Sequence, residues 1–149
     1  MKQLLTARRH TLLGAALILF LATAGSAYAA EPLVDVAWVK ANMGKPGVAL
    51  VDVQQPANYL GGHIPGAANT DFGKSGWREE RASDKVPDMF PDKVDKLVAH
   101  IGSLGIDNNT HVVLVPPGRE YGDMGWATRI YWTFKVLGHD NLSILNGGM

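Results

Sequence analysis

The sequence contains no cysteine among its 149 residues. A chain without cysteine forms no disulfide, offers no thiolate to a metal ion and holds no thiol nucleophile. This absence excludes thiol-based catalysis by the chain itself, and with it the cysteine phosphatases.

An excess of charge of either sign is also missing. Lys and Arg number 14, Asp and Glu number 14, and charged residues make up only 19% of the chain. No basic run or basic patch interleaved with aromatic residues occurs, so the sequence does not indicate a nucleic-acid partner. The apolar share of 46% is typical of a globular protein, and the length leaves room for one domain.

The first 29 residues show the three-part pattern of a secretory signal peptide. A basic start precedes an apolar run over residues 12–21, and Ala27-Tyr28-Ala29 has small residues at both recognition positions. The alternative is an uncleaved anchor, but the run is shorter than the roughly 20 residues of a membrane span. We therefore expect cleavage before Ala30, a domain over residues 30–149, no membrane attachment afterwards, and a periplasmic or secreted protein.

Short apolar runs alternate with amphipathic stretches in the rest of the chain. The pattern predicts strands at residues 33–34, 48–53, 67–72, 111–115 and 142–145, and helices at 36–43, 56–60, 91–103 and 122–137. Such alternation predicts an α/β fold, a parallel sheet with helices on both faces. Residues 73–89 show no period and are predicted to be a long polar connection over the surface.

One stretch, from Leu50 to Asn69, combines a strand, a one-turn helix and a tight turn. Pro56 suits the first turn of the helix, and Gly61-Gly62 ends it because glycine reaches positive φ without steric cost. Pro65-Gly66 suits the two central positions of a type II turn.

This order of residues resembles the first motif of the rhodanese (sulfurtransferase) family, which reads Asp-Val-Arg, then Pro and Tyr, then Gly-His-Ile-Pro-Gly-Ala. The matching positions are Asp52, Val53, Pro56, Tyr59, Gly62, His63, Ile64, Pro65, Gly66, Ala67 and Asn69. Two positions differ, since Gln54 replaces the family's Arg and Asn58 replaces its Glu. Both changes remove a charge from any ion pair that the family forms there.

A second set of residues resembles the N-terminal domains of tandem rhodaneses: Ala127-x-Arg129-x-x-Trp132, Gly138-His139-Asp140 and Leu145-Asn146-Gly147-Gly148. The resemblance implies structural roles for Asp52, His63, Pro65, Gly66, Arg129, Gly147 and Gly148. In the tandem relatives the glycine pair leads to a further helix and a second, catalytic domain. We therefore expect a rhodanese-like fold truncated at its C-terminal end, with a second rhodanese domain as partner.

The residues after the strand 111–115 decide whether such a domain is catalytic. A catalytic rhodanese places its cysteine directly after this strand, in a loop whose amides hold an anion near a helix N-terminus. Here Pro116-Pro117 offers neither a nucleophile nor an amide proton. The sequence therefore predicts no catalytic residue, and a non-catalytic half of a thiosulfate-type sulfurtransferase.

Two arginines are candidates for binding a small sulfur anion. Arg119 lies in the loop after the strand 111–115, and Arg78 lies in the long connection. Solvated side chains are the alternative for both. The alternative function is a stand-alone anion- or protein-binding module that uses the loop 116–125. No pair of histidines has the spacing of a helical zinc site, so we expect neither a metal nor a cofactor.

Overall fold

The computed structural model describes residues 30–149, so the predicted signal peptide lies outside the described residues. Its elements are β1 (Leu33–Val34), α1 (Val36–Asn42), β2 (Val48–Asp52), α2 (Pro56–Gly61), β3 (Ala68–Asn69), α3 (Asp95–Ser103), β4 (His111–Val115), α4 (Tyr121–Val136) and β5 (Leu142–Leu145).

The five strands form one sheet in the order β1-β5-β4-β2-β3, and every pair is parallel. The longest pairing joins β2 and β4, from Val48 opposite His111 to Asp52 opposite Val115. These two central strands are rich in valine and leucine, as expected of strands that are covered on both faces.

Side chains of β4 alternate between two cores, one on each face of the sheet. Val112 and Leu114 pack with residues of α3 and α4, whereas Val113 and Val115 pack with Val39 of α1. This alternation follows from the two-residue period of a strand. The predicted α/β fold, with a parallel sheet and helices on both faces, is therefore confirmed.

Two predicted elements are shorter in the structure by more than one residue. Helix α3 begins at Asp95 and not at residue 91, because Pro91 is buried and the Asp92 amide donates to Glu79 Oε1 at 2.6 Å. Strand β3 pairs only over Ala68–Asn69 because its partner strand β2 ends at Asp52.

The connection predicted over residues 73–89 extends to residue 90 and has no helix, as predicted, but it is anchored in the core and does not lie wholly on the surface. Trp77 is 0% exposed and lies 5.5 Å from the Phe134 ring, centroid to centroid. Its Nε1–H donates to Thr70 Oγ1 at 2.7 Å, and that hydroxyl lies 2.8 Å from His100 Nε2. A buried aromatic ring and a chain of hydrogen bonds therefore hold the connection against the sheet.

Burial lowers the pKa of His100, and burial together with nearby His139 lowers the pKa of His111. Both side chains are therefore favoured as neutral in the folded state, and the unfolded chain binds more protons as the pH falls through about 6.5. We expect the free energy of unfolding to be lower at pH 5.5 than at pH 7.5, measured by urea denaturation. The double variant His100→Gln/His111→Gln should flatten this dependence, and an equally steep dependence in that variant would contradict the assignment.

None of the helices within residues 30–149 combines the length and the apolarity needed to span a bilayer.

Candidate functional site

The site lies where strands β2 and β4 end side by side. The chain leaves β2 toward β3 on one side of the sheet and leaves β4 toward β5 on the other. Such a topological switch point leaves a crevice beyond the carboxyl ends of the strands, where parallel α/β folds bind ligands. Two segments meet there: residues 53–55 after β2 and residues 116–120 after β4.

The segment after β4 begins with two buried prolines, Pro116 and Pro117. Neither has a side-chain nucleophile or a backbone N–H. The position at which a thiolate would be activated thus contains only apolar ring atoms and carbonyl oxygens.

Two later amides of this segment, those of Arg119 and Glu120, are already bound by a carboxylate of the chain. Asp123, in the first turn of α4, is 3% exposed. Its Oδ2 accepts from the Arg119 amide at 2.8 Å and from the Glu120 amide at 3.2 Å. A negative group beside these amides and the helix N-terminus is favourable, so Asp123 fills the position that an external anion would take.

The uncharged side-chain amide of Gln54 links the two segments by hydrogen bonds. Gln54 is buried, and its Nε2 donates to Asp52 Oδ2 at 3.1 Å while its backbone amide donates to Asp52 Oδ1 at 2.8 Å. Across the crevice, the Arg119 guanidinium donates to Gln54 Oε1 at 3.3 Å. Gln54, which replaces the family's Arg, therefore satisfies buried Asp52 with an amide, and the positive charge that contacts this amide comes from Arg119.

The two predicted anion-binding arginines border neighbouring cavities. Arg119 lines a cavity of about 190 Å³, and Arg78 lines one of about 90 Å³. Gln55 and Trp126 line both cavities. The structure therefore brings both arginines to the same edge of the sheet, on either side of a shared wall.

The two arginines differ in how their charges are partnered. Arg78 lies over the Phe72 ring, 4.8 Å from its centroid, and forms an ion pair with Asp88. Arg119 is exposed, and none of the ion pairs found within residues 30–149 includes it. Arg119 is thus the better placed of the two to meet an anion.

The turn that follows α2 contains three of the predicted structural residues. The Ala67 amide donates to Ile64 O at 3.0 Å, and Gly66 has a φ of 81°, as in a type II turn with Pro65 and Gly66 at its centre. His63 stacks on Tyr59 with 3.8 Å between ring centroids, and its Nδ1–H donates to Tyr59 O at 2.9 Å. These contacts connect α2 to β3.

Arg129 lies on the outer part of α4 and not in the crevice. Its guanidinium lies 4.6 Å from the centre of the Trp132 ring and donates to Asp88 O at 3.0 Å. Arg129 therefore attaches the connection 73–90 to α4.

The last glycine pair packs against the prolyl segment. A Cβ on Gly148 would lie 2.6 Å from Gly118 Cα and 2.8 Å from Pro116 O, whereas a Cβ on Gly147 would meet no atom within 4 Å. The Met149 amide also donates to Pro116 O at 3.0 Å. Gly148 thus permits a close backbone approach that holds the segment after β4 in place.

Replacing each glycine of this pair by alanine separates the stability cost of positive φ from the stability cost of a steric clash. Both have positive φ, 88° for Gly147 and 73° for Gly148, so either Ala variant should lose about 1–2 kcal/mol of stability. Gly148→Ala should lose roughly a further 1–3 kcal/mol because its methyl group meets backbone atoms. Urea unfolding of the two variants side by side measures the difference, and equal losses would show that the close approach is unimportant.

Comparison with known proteins agrees with this geometry. A sequence model described as Rhodanese-like domain matches residues 35–149. The chain belongs to the rhodanese family. It is 34% identical over 128 residues to the thiosulfate sulfurtransferase of Bos taurus, and 38% identical over 108 residues to that of Pseudomonas aeruginosa. Over the matched residues it is thus a rhodanese-like domain with sequence similarity to thiosulfate sulfurtransferases.

The alignments cover most of this rhodanese-like chain but less than half of each relative. They include 78% of the chain and 41% of the bovine protein, and 72% of the chain and 36% of the Pseudomonas protein. The crystal structure of SseA from Escherichia coli superposes with a TM-score of 0.61 at 22% identity, covering 79% of this chain and 45% of that one. This structural likeness shows the shared fold.

Three residues of the rhodanese crevice were not predicted as site residues: Gln55, Asp123 and Trp126. Asp123 follows Glu120 by three residues, a spacing that resembles a helix-capping pair, so a local signal was available. Gln55 and Trp126 are distant in sequence and meet only through the fold. Within residues 30–149, no group of three His, Asp or Glu side chains is arranged to hold a metal ion.

Proposed function

We propose that this rhodanese-like domain is the non-catalytic half of a thiosulfate-type sulfurtransferase and forms one wall of a site that a second rhodanese domain completes. Two observations support the proposal: Pro116 and Pro117, which directly follow β4 where the resemblance places the nucleophile, are buried, and the chain has no cysteine. The relatives, of which this chain covers about 41% and 36%, have length for a second domain.

In such an assembly the partner's cysteine would attack the sulfane sulfur of thiosulfate, release sulfite and carry the sulfur as a persulfide. A nucleophile such as cyanide or a thiol would then take the outer sulfur and free the thiolate. This domain would contribute the apolar surface of Trp126, the polar amide of Gln55 and the positive charges of Arg119 and Arg78. These groups support a role in excluding water and attracting the small sulfur anion.

The second candidate is a stand-alone module that binds an anion or a protein through residues 116–125. The Arg119 guanidinium favours it, because none of the ion pairs within residues 30–149 includes this group. Occupation of the Arg119 and Glu120 amides by Asp123 counts against it for anions, because an entering anion would have to displace a buried carboxylate.

Titration of the isolated domain with thiosulfate, followed by NMR, distinguishes the two candidates. The non-catalytic half should show no saturable shift of the Arg119 and Glu120 amides at millimolar thiosulfate. Saturable shifts that disappear in Arg119→Gln but persist in the control Lys45→Gln would instead favour the stand-alone module, because the domain would then bind the anion without a partner. The coding sequence after codon 149 gives a second test, since a downstream rhodanese domain with a cysteine loop supports the first candidate.

Export to the periplasm or beyond the cell is part of the proposal. The basic start, apolar run and Ala27-Tyr28-Ala29 pattern predict that Ala30 is the first residue of the processed protein. N-terminal sequencing of protein from an envelope fraction should find Ala30. A cytoplasmic protein that retains Met1 would show that this prediction is wrong.

A further inference from the structure

The starting point is the buried hydroxyl group of Thr70, which is 1% exposed. Among residues 30–149 its Oγ1 has two hydrogen-bond partners, Trp77 Nε1 at 2.7 Å and His100 Nε2 at 2.8 Å. The indole N–H can only donate, so Thr70 Oγ1 accepts from Trp77. The hydroxyl proton then has one acceptor within these contacts, His100 Nε2. The His100 imidazole is therefore neutral, with its proton on Nδ1.

A second histidine has the opposite arrangement. Ser143 is 0% exposed, and its Oγ donates to Glu31 O at 2.6 Å because a carbonyl oxygen can only accept. His111 Nε2 lies 2.8 Å from the same Oγ, so it is the donor of that pair and carries the proton. A further proton on His111 Nδ1 would leave this hydrogen bond intact. His111 is thus a matched control for His100.

Protonation of His100 conflicts with its hydrogen bond. A proton on Nε2 turns the only acceptor of the Thr70 hydroxyl proton into a donor. Both groups would then direct a proton at each other, and the Thr70 proton would be buried without an acceptor, which is costly. The conflict disappears if the contact of His100 with Thr70 and Trp77 opens. The structure that holds Trp77 in the core therefore requires a neutral His100.

The groups in contact with the His100 ring are uncharged: the Thr70 hydroxyl and the Trp77 ring, whose centroid is 6.0 Å away. Burial alone lowers the pKa of His100, so no carboxylate offsets the cost of its charge. The charged residues nearest along the chain to these contacts, and to Phe134 of α4 behind Trp77, are Asp71 beside Thr70, Arg78 beside Trp77, Lys135 beside Phe134, and Asp95 and Lys96 on α3. Arg78 and Lys135 are ion-paired with Asp88 and Asp140.

We propose that protonation of His100 detaches Trp77 from the core and so loosens the connection 73–90. Arg78 directly follows Trp77 and lines the crevice with Phe72, so the same opening displaces one wall of the crevice. In the open form the His100 pKa returns toward its ordinary value near 6.5, and the open form gains population as the pH falls below that value. The proposal concerns the connection itself and does not depend on the sulfurtransferase assignment.

Nitrogen-15 NMR of the purified protein at pH 7.5 tests the hydrogen-bond assignment first. His100 should carry its proton on Nδ1 and have a bare Nε2, whereas His111 should carry its proton on Nε2. The measurement uses the unmodified protein and so does not depend on the folding of a variant. A neutral His100 with its proton on Nε2 would overturn the proposal.

Hydrogen exchange then tests the opening. The amides of Glu79 and Met89 each donate to the other's carbonyl oxygen at 2.9 Å within the connection. Their protection factors, which correct for the intrinsic effect of pH on exchange, should fall roughly three- to tenfold between pH 7.5 and 5.5, since one proton taken up below about pH 6.5 gives at most about tenfold. The Val113 amide of the central strand β4 reports global unfolding and should stay more strongly protected.

Two single variants assign the effect to His100. His100→Gln cannot be protonated, and its amide oxygen can still accept from Thr70, so the pH dependence of the Glu79 and Met89 protection factors should disappear. His111→Gln should retain it. The same pH dependence in His100→Gln as in the unmodified protein would overturn the proposal. So would constant protection of both amides in the unmodified protein while the His100 ring titrates.

Discussion

Purified alone, the domain is expected to give no thiosulfate:cyanide sulfurtransferase turnover above a heat-treated control. The reaction needs a nucleophile that can carry sulfane sulfur as a persulfide, and thiolate chemistry provides one. The chain has no cysteine. A serine hydroxyl does not substitute, because it does not form a stable sulfane carrier.

Introducing a cysteine at the first position after β4 should restore little activity. In Pro116→Cys the thiol would be buried, Pro117 would still lack an amide proton, and the Arg119 and Glu120 amides would still bind Asp123. Loss of such anion-stabilising donors costs roughly 10²–10³ in rate. We therefore expect Pro116→Cys to fall short of the Pseudomonas thiosulfate sulfurtransferase by at least that factor in the same assay.

The matched variant is Pro116→Cys/Pro117→Gly/Asp123→Ser, which keeps the cysteine and frees the amides. Its turnover should exceed that of Pro116→Cys if the binding of the loop amides by Asp123 is what prevents activity. Clear turnover by the unmodified chain, free of contaminating enzyme, would overturn the non-catalytic assignment. Activity of Pro116→Cys equal to that of the Pseudomonas enzyme would show that Asp123 does not obstruct the loop.

The three central strands were among the most predictable parts of this fold. Strands β4 and β5 match their predicted bounds, and β2 ends one residue earlier than predicted. Short runs of β-branched residues between turn signals report local conformation and burial together. The turn at Pro65-Gly66 was equally predictable, because positive φ at its second central residue calls for glycine.

The composition of the crevice was less predictable. The sequence indicated that Pro116-Pro117 replaces a nucleophile, and it selected Arg119 and Arg78. It did not indicate that Asp123 closes the loop, or that Gln55 and Trp126 form one wall between the two arginines. Gln55 and Trp126 come from separate elements, and no periodicity along the chain reports that they line one wall, whereas the spacing of Glu120 and Asp123 was a local signal.

The connection 73–90 shows most clearly that a local sequence pattern can fail to predict which side chains are buried. Its charged residues and glycines indicated a solvated segment, and ion pairs such as Arg81 with Asp84 are indeed exposed. Yet Trp77 lies in the core, because the partners that bury it, Thr70 and Phe134, come from other parts of the chain. Burial of a single side chain in an irregular segment leaves no periodic signal.

Truncation of the Trp77 side chain is the second change expected to have a large effect, here on the free energy of unfolding. Trp77 is among the largest fully buried side chains of the described residues, so Trp77→Ala should lower the free energy of unfolding by about 3–5 kcal/mol. Domains of this size are stable by roughly 5–15 kcal/mol in total, so a loss of this size leaves the variant marginal. Urea denaturation followed by circular dichroism measures it.

Two further variants separate the causes of this loss. Trp77→Phe keeps most of the ring volume but leaves Thr70 Oγ1 without its indole donor, so it should lose only about 1–3 kcal/mol. Trp132→Ala removes an indole that is 44% exposed and should cost less than Trp77→Ala, since less apolar surface returns to water. If Trp77→Ala were no more destabilising than Trp132→Ala, the connection 73–90 would not be anchored in the core, and the wall that Arg78 and Phe72 give to the crevice would lose its support.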